Sequence, residues 1–375
     1  MLDFTSALYL GLEHGWRDLP GWQRLTLGKP AALEEPPRAI EVQGQLAELT
    51  GCGRAVLAPS TLHAFWDLFD LLRQRGMSVL LDEGSYAIAR WGIERAAARG
   101  MPVETFNGRD LRSLRYRVQR VRLPVVVTDG YYPGAGFPAP LARYVEWVKP
   151  RGGLVVVDDT QALGIFGRSP GPRAPFGVGG GGSLRRLGLQ EDCIVLVSSL
   201  AKAFGAPVAM VAGREDLIAD FERDSATRVH CSPPSAAAIS AAAHALRINR
   251  LSGYVIRMRL ARVVTLLRAG LSRLNLLCTR GLFPVQTLRI SDRMDPAELH
   301  RRLLSLGVRT VLHHGREGNG ARISFVVTAL HTPKDINQAL SCLADLLRCE
   351  SPCKSRERED NHESEYGSRI VRSGW

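Results

Sequence analysis

The stretch Ile194-Val195-Leu196-Val197-Ser198-Ser199-Leu200-Ala201-Lys202-Ala203-Phe204-Gly205 decides how the rest of the chain is interpreted. Its first residues are apolar without alternation, which predicts a strand buried on both faces, and a lysine follows soon after the strand ends. An ammonium among small residues at that place is poorly solvated, and the lowered pKa suits a nucleophile or a Schiff-base partner. A lysine that extends to the surface is equally compatible with this segment alone. Only five lysines occur among the 375 residues, which makes Lys202 conspicuous.

A second apolar strand, at residues 154–157, ends in the carboxylates Asp158 and Asp159. A carboxylate at the carboxyl end of a central parallel strand lies where open α/β sheets bind ligands. A pyridoxal ring needs such a carboxylate to keep its nitrogen protonated. Two aspartates after a strand are also compatible with a metal site or a helix cap, but together with Lys202 they favour the pyridoxal interpretation.

Two further places in the sequence can contribute to a cofactor site. Ser60 and Thr61 lie at a strand-to-helix junction, where hydroxyls and backbone N–H groups can hold a phosphate. An ordinary helix cap explains the same residues. Tyr86 follows the next strand and can present an aromatic face to a planar ring, or it can pack on the core.

The alternation of apolar segments and helical segments predicts the fold. The predicted strands of the first part are residues 55–58, 78–81, 103–106, 124–128, 154–157 and 194–198. Strands that are apolar throughout and spaced by helices indicate a mostly parallel sheet, hence a three-layer α/β/α domain. Helix and strand alternate again near the C-terminus, which predicts a smaller α+β domain. The predicted divisions are an N-terminal segment (1–50), a large domain (51–240), a small domain with its linking helix (241–348) and a disordered tail (349–375).

Composition narrows the classes of protein. The chain is 45% hydrophobic and 23% charged, as a folded protein is. It contains no apolar run of about 20 residues and opens without a leader-like segment, so we expect no membrane partner and a cytoplasmic location. The net charge of +12 comes from dispersed arginines, which does not favour nucleic acid as a partner. Seven scattered cysteines show no zinc-ligand spacing, so we expect reduced thiols and no metal.

Residues 177–182 read Gly-Val-Gly-Gly-Gly-Gly and suggest a phosphate cradle. The run lacks the preceding strand and the following lysine of a P-loop. A flexible surface loop or a subunit-contact loop is therefore the expectation.

Taken in order, the motifs resemble the fold-type I pyridoxal-phosphate enzymes of the class I/II aminotransferase superfamily, in particular the α-oxoamine synthases. The resemblance covers about residues 2–347. The matching segments are residues 3–12 (Asn-Phe-x-Ser-Asn-x-Tyr-Leu-Gly-Leu in the family), 128–130 (Thr-Glu-Gly), 157–161 (Val-Asp-Asp-Ala-His), 199–205 (Thr-x-x-Lys-x-Phe-Gly) and 328–332 (Thr-Ala-x-His-Thr).

Carried over residue by residue, the resemblance implies that Lys202 forms the internal aldimine with pyridoxal 5'-phosphate and that Asp158 pairs with its ring nitrogen. Tyr86 takes the place of a histidine that stacks on the ring. The other residues placed at the cofactor are Asp129, Gln161, Ser60, Thr61 and Ser199, the last three at the phosphate. Family members are homodimers with the active site at the subunit interface, so the resemblance implies a dimer.

The sequence departs from the family at three positions. Gln161 replaces a histidine and cannot exchange a proton near neutral pH. Tyr86 replaces the stacking histidine, which is also expected to position the thioester. Ser324 replaces the second arginine of an Arg-x-Arg strand, and a serine cannot clamp a carboxylate. Either Arg322 or another arginine binds the substrate carboxylate, or the substrate is not an ordinary α-amino acid.

The favoured function is an α-oxoamine synthase-like transferase. It condenses an amino acid with an acyl thioester, on coenzyme A or an acyl carrier protein, through a Lys202 aldimine and a quinonoid carbanion. The first alternative is an aminotransferase on the same scaffold, in which Lys202 moves a proton and no thioester is needed. The second is a non-catalytic accessory protein that binds the cofactor. The presence of both Lys202 and Asp158 argues against that second alternative.

Overall fold

The structure is a computed structural model and describes residues 1–15, 17, 19, 25–290, 294–314 and 320–349. The predicted tail lies outside the described residues from position 350 onward. Within the described ranges no helix is long and apolar enough to cross a membrane.

The strands and helices follow one another in the alternation that the sequence predicts. The strands are β1 (Leu2–Asp3), β2 (Arg54–Ala58), β3 (Ser78–Asp82), β4 (Val103–Phe106), β5 (Pro124–Asp129), β6 (Tyr131–Tyr132), β7 (Phe137–Pro138), β8 (Leu154–Asp158), β9 (Ile194–Ser199), β10 (Ala209–Gly213), β11 (Leu277–Cys278), β12 (Val285–Arg289), β13 (Val308–Arg309), β14 (Val311–His314) and β15 (Ala321–Val326). The α-helices are α1 (Ala39–Thr50), α2 (Thr61–Gln74), α3 (Ala87–Ala98), α4 (Leu111–Arg120), α5 (Leu141–Val148), α6 (Gly182–Leu187), α7 (Glu215–Asp224), α8 (Ala226–His230), α9 (Ala236–Arg273), α10 (Pro296–Ser305) and α11 (Pro333–Cys349).

A seven-stranded sheet forms the centre of the large part of the chain. Its strand order is β2-β10-β9-β8-β5-β3-β4, and the pairs from β9 to β4 are all parallel. Every residue of β8 is buried, and consecutive residues of a strand point to opposite faces. Both faces of the sheet are therefore covered at its centre, which confirms the α/β architecture with a mostly parallel sheet.

The sequence interpretation missed one strand of this sheet, β10. It runs antiparallel to both of its neighbours, β9 and β2. It returns directly after the Lys202 turn, and its five residues are all buried. An apolar segment of five residues so close to another strand carries no signal of its own direction, because direction is decided by pairing across the sheet.

The C-terminal part contains a second sheet. Its strand order is β11-β12-β15-β14, and its pairs are antiparallel. Helix α9 leads into it over 38 residues and begins at Ser235, whose side chain accepts a hydrogen bond from the backbone of Ala238. Strand β1 near the N-terminus pairs in parallel with β13, so the first residues of the chain join the C-terminal part.

A flexible surface loop or a subunit-contact loop is the expectation for the glycine-rich run at 177–182, and the structure shows backbone pairing for this run. It forms the returning arm of an antiparallel hairpin whose bridges join Leu163 to Gly181 and Arg168 to Val178. The backbone of Gly180 accepts a hydrogen bond from the N–H of Gly164 at 2.8 Å. The glycines permit positive φ angles at 177, 179, 180 and 182, which other residues adopt at a cost.

Gly164 offers a test of how this hairpin is packed. Its φ is +83°, and a Cβ at this position would lie 2.6 Å from the Cβ of Ala203, beside Lys202. The matched control is Gly100, whose φ is +94° with nothing within 4 Å of the added atom. We expect Gly100→Ala to lower the free energy of unfolding by about 1 kcal/mol and Gly164→Ala to cost about 1–3 kcal/mol more. Denaturant unfolding measures both, and equal losses would contradict the close packing.

Candidate active site

The site lies at the carboxyl edge of the central sheet, where three neighbouring strands end. Asp129 ends β5 and Asp158 ends β8, and the two residues are paired in the sheet register. On its other side Asp158 is level with Val197 of β9. The turn after β9 then carries Lys202. Residues distant in sequence therefore meet because parallel strands end at the same edge.

Asp158 is buried, with 6% of its surface exposed. Its Oδ1 accepts a hydrogen bond from the backbone N–H of Thr160 at 3.0 Å. Burial raises the pKa of this carboxyl group, while the bonds from Thr160 and the charge of Lys202 oppose the shift. The carboxylate is held in one orientation with part of its hydrogen-bonding capacity still available.

Lys202 lies in a tight turn between β9 and β10. The turn is closed by the backbone bond from Leu200 to Val208 at 2.8 Å, and Gly205 adopts a φ of +62° in it. Burial lowers the pKa of the Lys202 amine, and the charges of Asp158 and Asp129 partly offset this. The Nζ atom lies 5.7 Å from the centre of the Tyr86 ring. The ammonium is thus near two carboxylates and an aromatic face in a poorly solvated place.

Asp129 links the strand edge to Tyr86. Its Oδ1 accepts the backbone N–H of Tyr86 at 3.1 Å, which places Tyr86 as the residue before α3. Burial and the neighbouring charge of Asp158 raise the pKa of Asp129 well above its usual range, and the bond from Tyr86 opposes this. Two adjacent buried carboxylates share one amine, so the three groups would carry a net negative charge if all were ionised. A further cation would be stabilised here.

The three predicted phosphate residues lie along the same edge. Ala209 of β10 pairs with Ala58 on one side and with Ser199 on the other. The ends of β2 and β9 are therefore two strand spacings apart, roughly 10 Å. Ser60 precedes α2, Thr61 is its first residue, and both are partly buried.

Two hydrogen bonds in this region involve residues for which the sequence indicates no role in the site. The Nδ1 atom of His63 lies 2.9 Å from Ser60 Oγ. Thr160 Oγ1 accepts the backbone N–H of Ser199 at 3.0 Å, which ties the Asp158 segment to the start of the Lys202 turn. Position i+3 on a helix was the available signal for His63, because such residues share a face with residue i.

Gln161 is buried, and its partner is Tyr9. The hydroxyl of Tyr9 donates to Gln161 Oε1 at 2.6 Å, and burial raises the pKa of Tyr9. Tyr9 is fully buried near the N-terminus of the chain. The sequence interpretation used the segment around Tyr9 only as a motif, because the contact joins residues too far apart for any periodicity to show.

Arg322 belongs to the C-terminal sheet, whereas the Lys202 group (Lys202, Asp158, Asp129 and Tyr86) lies at the edge of the central sheet. Arg322 is exposed on β15, in the four-stranded sheet, where it lines a cavity of about 950 Å³ together with Arg109 and Arg289. None of the residues lining that cavity belongs to the Lys202 group. The cavity does reach Gly134 and Ala135, a few residues beyond Asp129 in the chain.

Ser324, two residues further along β15, is buried with its polar atoms satisfied. Its Oγ lies 2.7 Å from Thr287 Oγ1 and 2.8 Å from His313 Nε2. Ser324, at the position of the family's second arginine, therefore belongs to a network of hydroxyl and imidazole groups that links three strands. Spacing along the chain does not indicate the contact of His313 with Ser324, because the two residues are in different strands.

No group of three or more possible ligand side chains that could hold a metal ion occurs in the described ranges. The strand edge brings together an amine, two carboxylates, an aromatic ring and hydroxyl groups.

The family model for aminotransferase class I and II matches residues 28–343. The 8-amino-7-oxononanoate synthase of Pseudomonas fluorescens is 28% identical over 361 residues, covering 93% of this chain and 88% of the relative. The enzyme of that name from Alkalilimnicola ehrlichii is 28% identical over 316 residues, covering 83% and 77%.

Solved structures agree on the fold. Serine palmitoyltransferase from S. paucimobilis, described with bound PLP-myriocin aldimine, has a TM-score of 0.79 at 19% identity and covers 92% of this chain and 86% of that one. The 8-amino-7-oxononanoate synthase from Francisella tularensis has a TM-score of 0.75 at 17% identity, with 93% and 98% covered.

Fold and site together define the class expected from the resemblance, a fold-type I pyridoxal-phosphate transferase. The chain belongs to the aminotransferase class I and II family.

The environment of Lys202 predicts an order of reactivity among lysines. Burial lowers the pKa of Lys202, whereas the hydrogen bond with Glu191 raises the pKa of exposed Lys149. A lowered pKa leaves more free amine at a given pH, so reductive methylation of the cofactor-free protein labels Lys202 at lower pH than Lys149. Mass spectrometry of peptides across a pH series measures the two midpoints. The reverse order would contradict the buried environment of Lys202.

Proposed function

We propose that this protein is a pyridoxal-phosphate-dependent, α-oxoamine synthase-like transferase that joins an amino acid to the acyl group of a thioester. The observation that carries the proposal is the Lys202 amine beside the paired carboxylates Asp129 and Asp158 and the ring of Tyr86. The names of the curated relatives support the synthase reaction over other reactions of the family.

The residues fit the cofactor in charge and in chemistry. Asp158 would hold the protonated ring nitrogen. The positive charge of that nitrogen would balance the second carboxylate, since the Lys202 amine can balance only one. Lys202 would bind the aldehyde carbon, and Tyr86 would cover a face of the ring. Ser60, Thr61 and Ser199 offer hydroxyls for the phosphate, with Gln161 and Asp129 beside the ring. When bound, pyridoxal phosphate supplies an electron sink that stabilises negative charge at the substrate Cα.

The chain's own groups then handle the protons. Burial lowers the pKa of the Lys202 amine, which increases the fraction of free amine that can accept a proton from the substrate Cα. Because the N–H of Thr160 fixes its Oδ1, Asp158 would present its charge to the ring nitrogen of the bound cofactor. Gln161, fixed by the hydroxyl of Tyr9, orients a hydrogen bond and moves no proton.

An aminotransferase on the same scaffold is the second candidate. It is favoured by Tyr86 and Gln161, which stand where the synthases carry histidines. In that reaction Lys202 would move the proton of the substrate and no thioester would take part.

Binding partners and location complete the proposal. We propose a small amino substrate, an acyl thioester on coenzyme A or a carrier protein, and a homodimer with the active site at the subunit interface, as the resemblance implies. A cytoplasmic location also stays a prediction. Arg322 lines the cavity that reaches Gly134 and Ala135, and we propose that it binds substrate there.

Substitutions at the two principal residues test the cofactor assignment. Lys202→Ala should remove the absorbance band of the lysine-bound cofactor. Asp158→Asn should keep that band and lower proton exchange at the substrate Cα by about a hundredfold or more, since the electron sink is weakened. Lys334→Ala, in a lysine outside the site, is the control. A wild-type spectrum in Lys202→Ala would refute the assignment of the lysine, and wild-type exchange in Asp158→Asn would refute the role of the carboxylate.

The reaction itself is tested by deuterium exchange. The holoenzyme is incubated with a panel of amino acids in deuterium oxide, with and without acyl thioesters. The synthase predicts α-deuterium exchange that increases when the thioester is added, and a condensed product detectable by mass spectrometry. Conversion of the cofactor to pyridoxamine phosphate without thioester would identify the aminotransferase instead.

A further inference from the structure

A second basic cavity has a lining of its own, distinct from the Lys202 group. It has a volume of about 410 Å³ and is bounded by the end of α1, the glycine-rich arm at 177–182 and the middle of α9. The arginines that line it are Arg168, Arg185, Arg250 and Arg257, and Glu48 is the acidic residue of the lining. We refer to it as the arginine cavity. None of Lys202, Asp158, Asp129 and Tyr86 lines it.

Arg257 is the unusual member of this lining. Only 3% of its surface is exposed. Its Nη1 donates to the carbonyl of Gly164 at 3.1 Å and to Asn249 Oδ1 at 2.6 Å, both uncharged acceptors, and its Nε is buried with no partner. Within the part of the chain that is described, Arg257 forms no ion pair with a carboxylate. A buried cation without a counter-ion is costly, because desolvation is not offset.

The electrostatic state of Arg257 agrees with this geometry. Burial lowers the pKa of its guanidinium group to about 10. The nearby arginines add like charge to the lining, and Glu48 is itself exposed. An anion in the cavity would restore the charge balance that the described residues leave open.

The glycine-rich arm is shaped around the guanidinium group. A Cβ at Gly180 would lie 2.7 Å from Arg257 Nη1, so a residue larger than glycine would displace it. Asn249 Nδ2 donates to the carbonyl of Gly179 at 2.8 Å and holds the arm beside α9. The glycines thus bring the backbone close to the buried charge of Arg257. The proposed reaction does not use this arrangement.

We propose that the arginine cavity binds a phosphate-type oxyanion, either inorganic phosphate or the phosphate group of a larger molecule. Guanidinium groups present paired N–H donors that match the oxygens of such an anion. Buried Arg257 supplies the fixed charge, and exposed Arg168 and Arg250 supply donors at the rim.

Calorimetric titration of the pyridoxal-phosphate-loaded protein with inorganic phosphate tests this, with chloride used to hold ionic strength constant. The loaded protein is used because the cofactor then fills its own phosphate site. The variant is Arg168→Ala combined with Arg250→Ala, both at exposed positions that should leave the fold intact. The control is Arg112→Ala combined with Arg115→Ala, two exposed arginines of α4 that give the same change in charge.

We expect saturable phosphate binding whose affinity falls about tenfold or more in the cavity variant and is unchanged in the control. A second titration with coenzyme A separates the sources of phosphate. Coenzyme A that competes with phosphate and depends on the same arginines identifies a phosphate-bearing molecule as the ligand, whereas phosphate binding alone identifies the free ion.

Absence of saturable binding, or an equal loss in cavity and control variants, would overturn the proposal. Arg257→Gln gives an independent reading, since it removes the buried charge and keeps a hydrogen-bonding side chain. Retained phosphate affinity in a folded Arg257→Gln variant would also overturn it. No turnover is measured, so these results do not depend on whether the proposed reaction is right.

Discussion

The pairing of β5 with β8 is the constraint on which the site depends. Their register sets Asp129 beside Asp158, and the next parallel strand brings the Lys202 turn to the same edge. Two carboxylates and one amine in a poorly solvated place cannot all keep their ordinary pKa values. The structure resolves this by raising the pKa of the carboxyl groups and lowering that of the amine. A cationic ring nitrogen is the group that such an arrangement stabilises.

Two of the residues that depart from the family pattern form hydrogen bonds with neighbouring side chains. Gln161 meets the hydroxyl of Tyr9, and Ser324 joins Thr287 and His313. Each of these two replacements exchanges a side chain that can carry positive charge for a neutral one that forms hydrogen bonds.

The arginines of the chain lie in two kinds of environment in the fold. Many arginines form surface ion pairs, such as Arg117 with Glu104 and Arg143 with Glu146, which contribute little to stability. Arg257 differs because it is buried against glycines with neutral partners. Net charge alone does not distinguish these cases, because the energetic consequence of a charge depends on its solvation and its neighbours.

The sequence by itself determined the class of the fold, the positions of six of the seven central strands to within a residue, and Lys202 and Asp158 as candidates. Apolar runs and residues beside strand ends are local features of a sequence. Only the tertiary structure decided the antiparallel direction of β10, the contact of Gln161 with Tyr9, the place of His63 beside Ser60 and the pairing of Arg322 with His313 in the C-terminal sheet. It also made the glycine run one arm of a hairpin around Arg257. Most of these features depend on strand pairing and packing between residues far apart in the chain, and periodicity and spacing carry no information about such contacts.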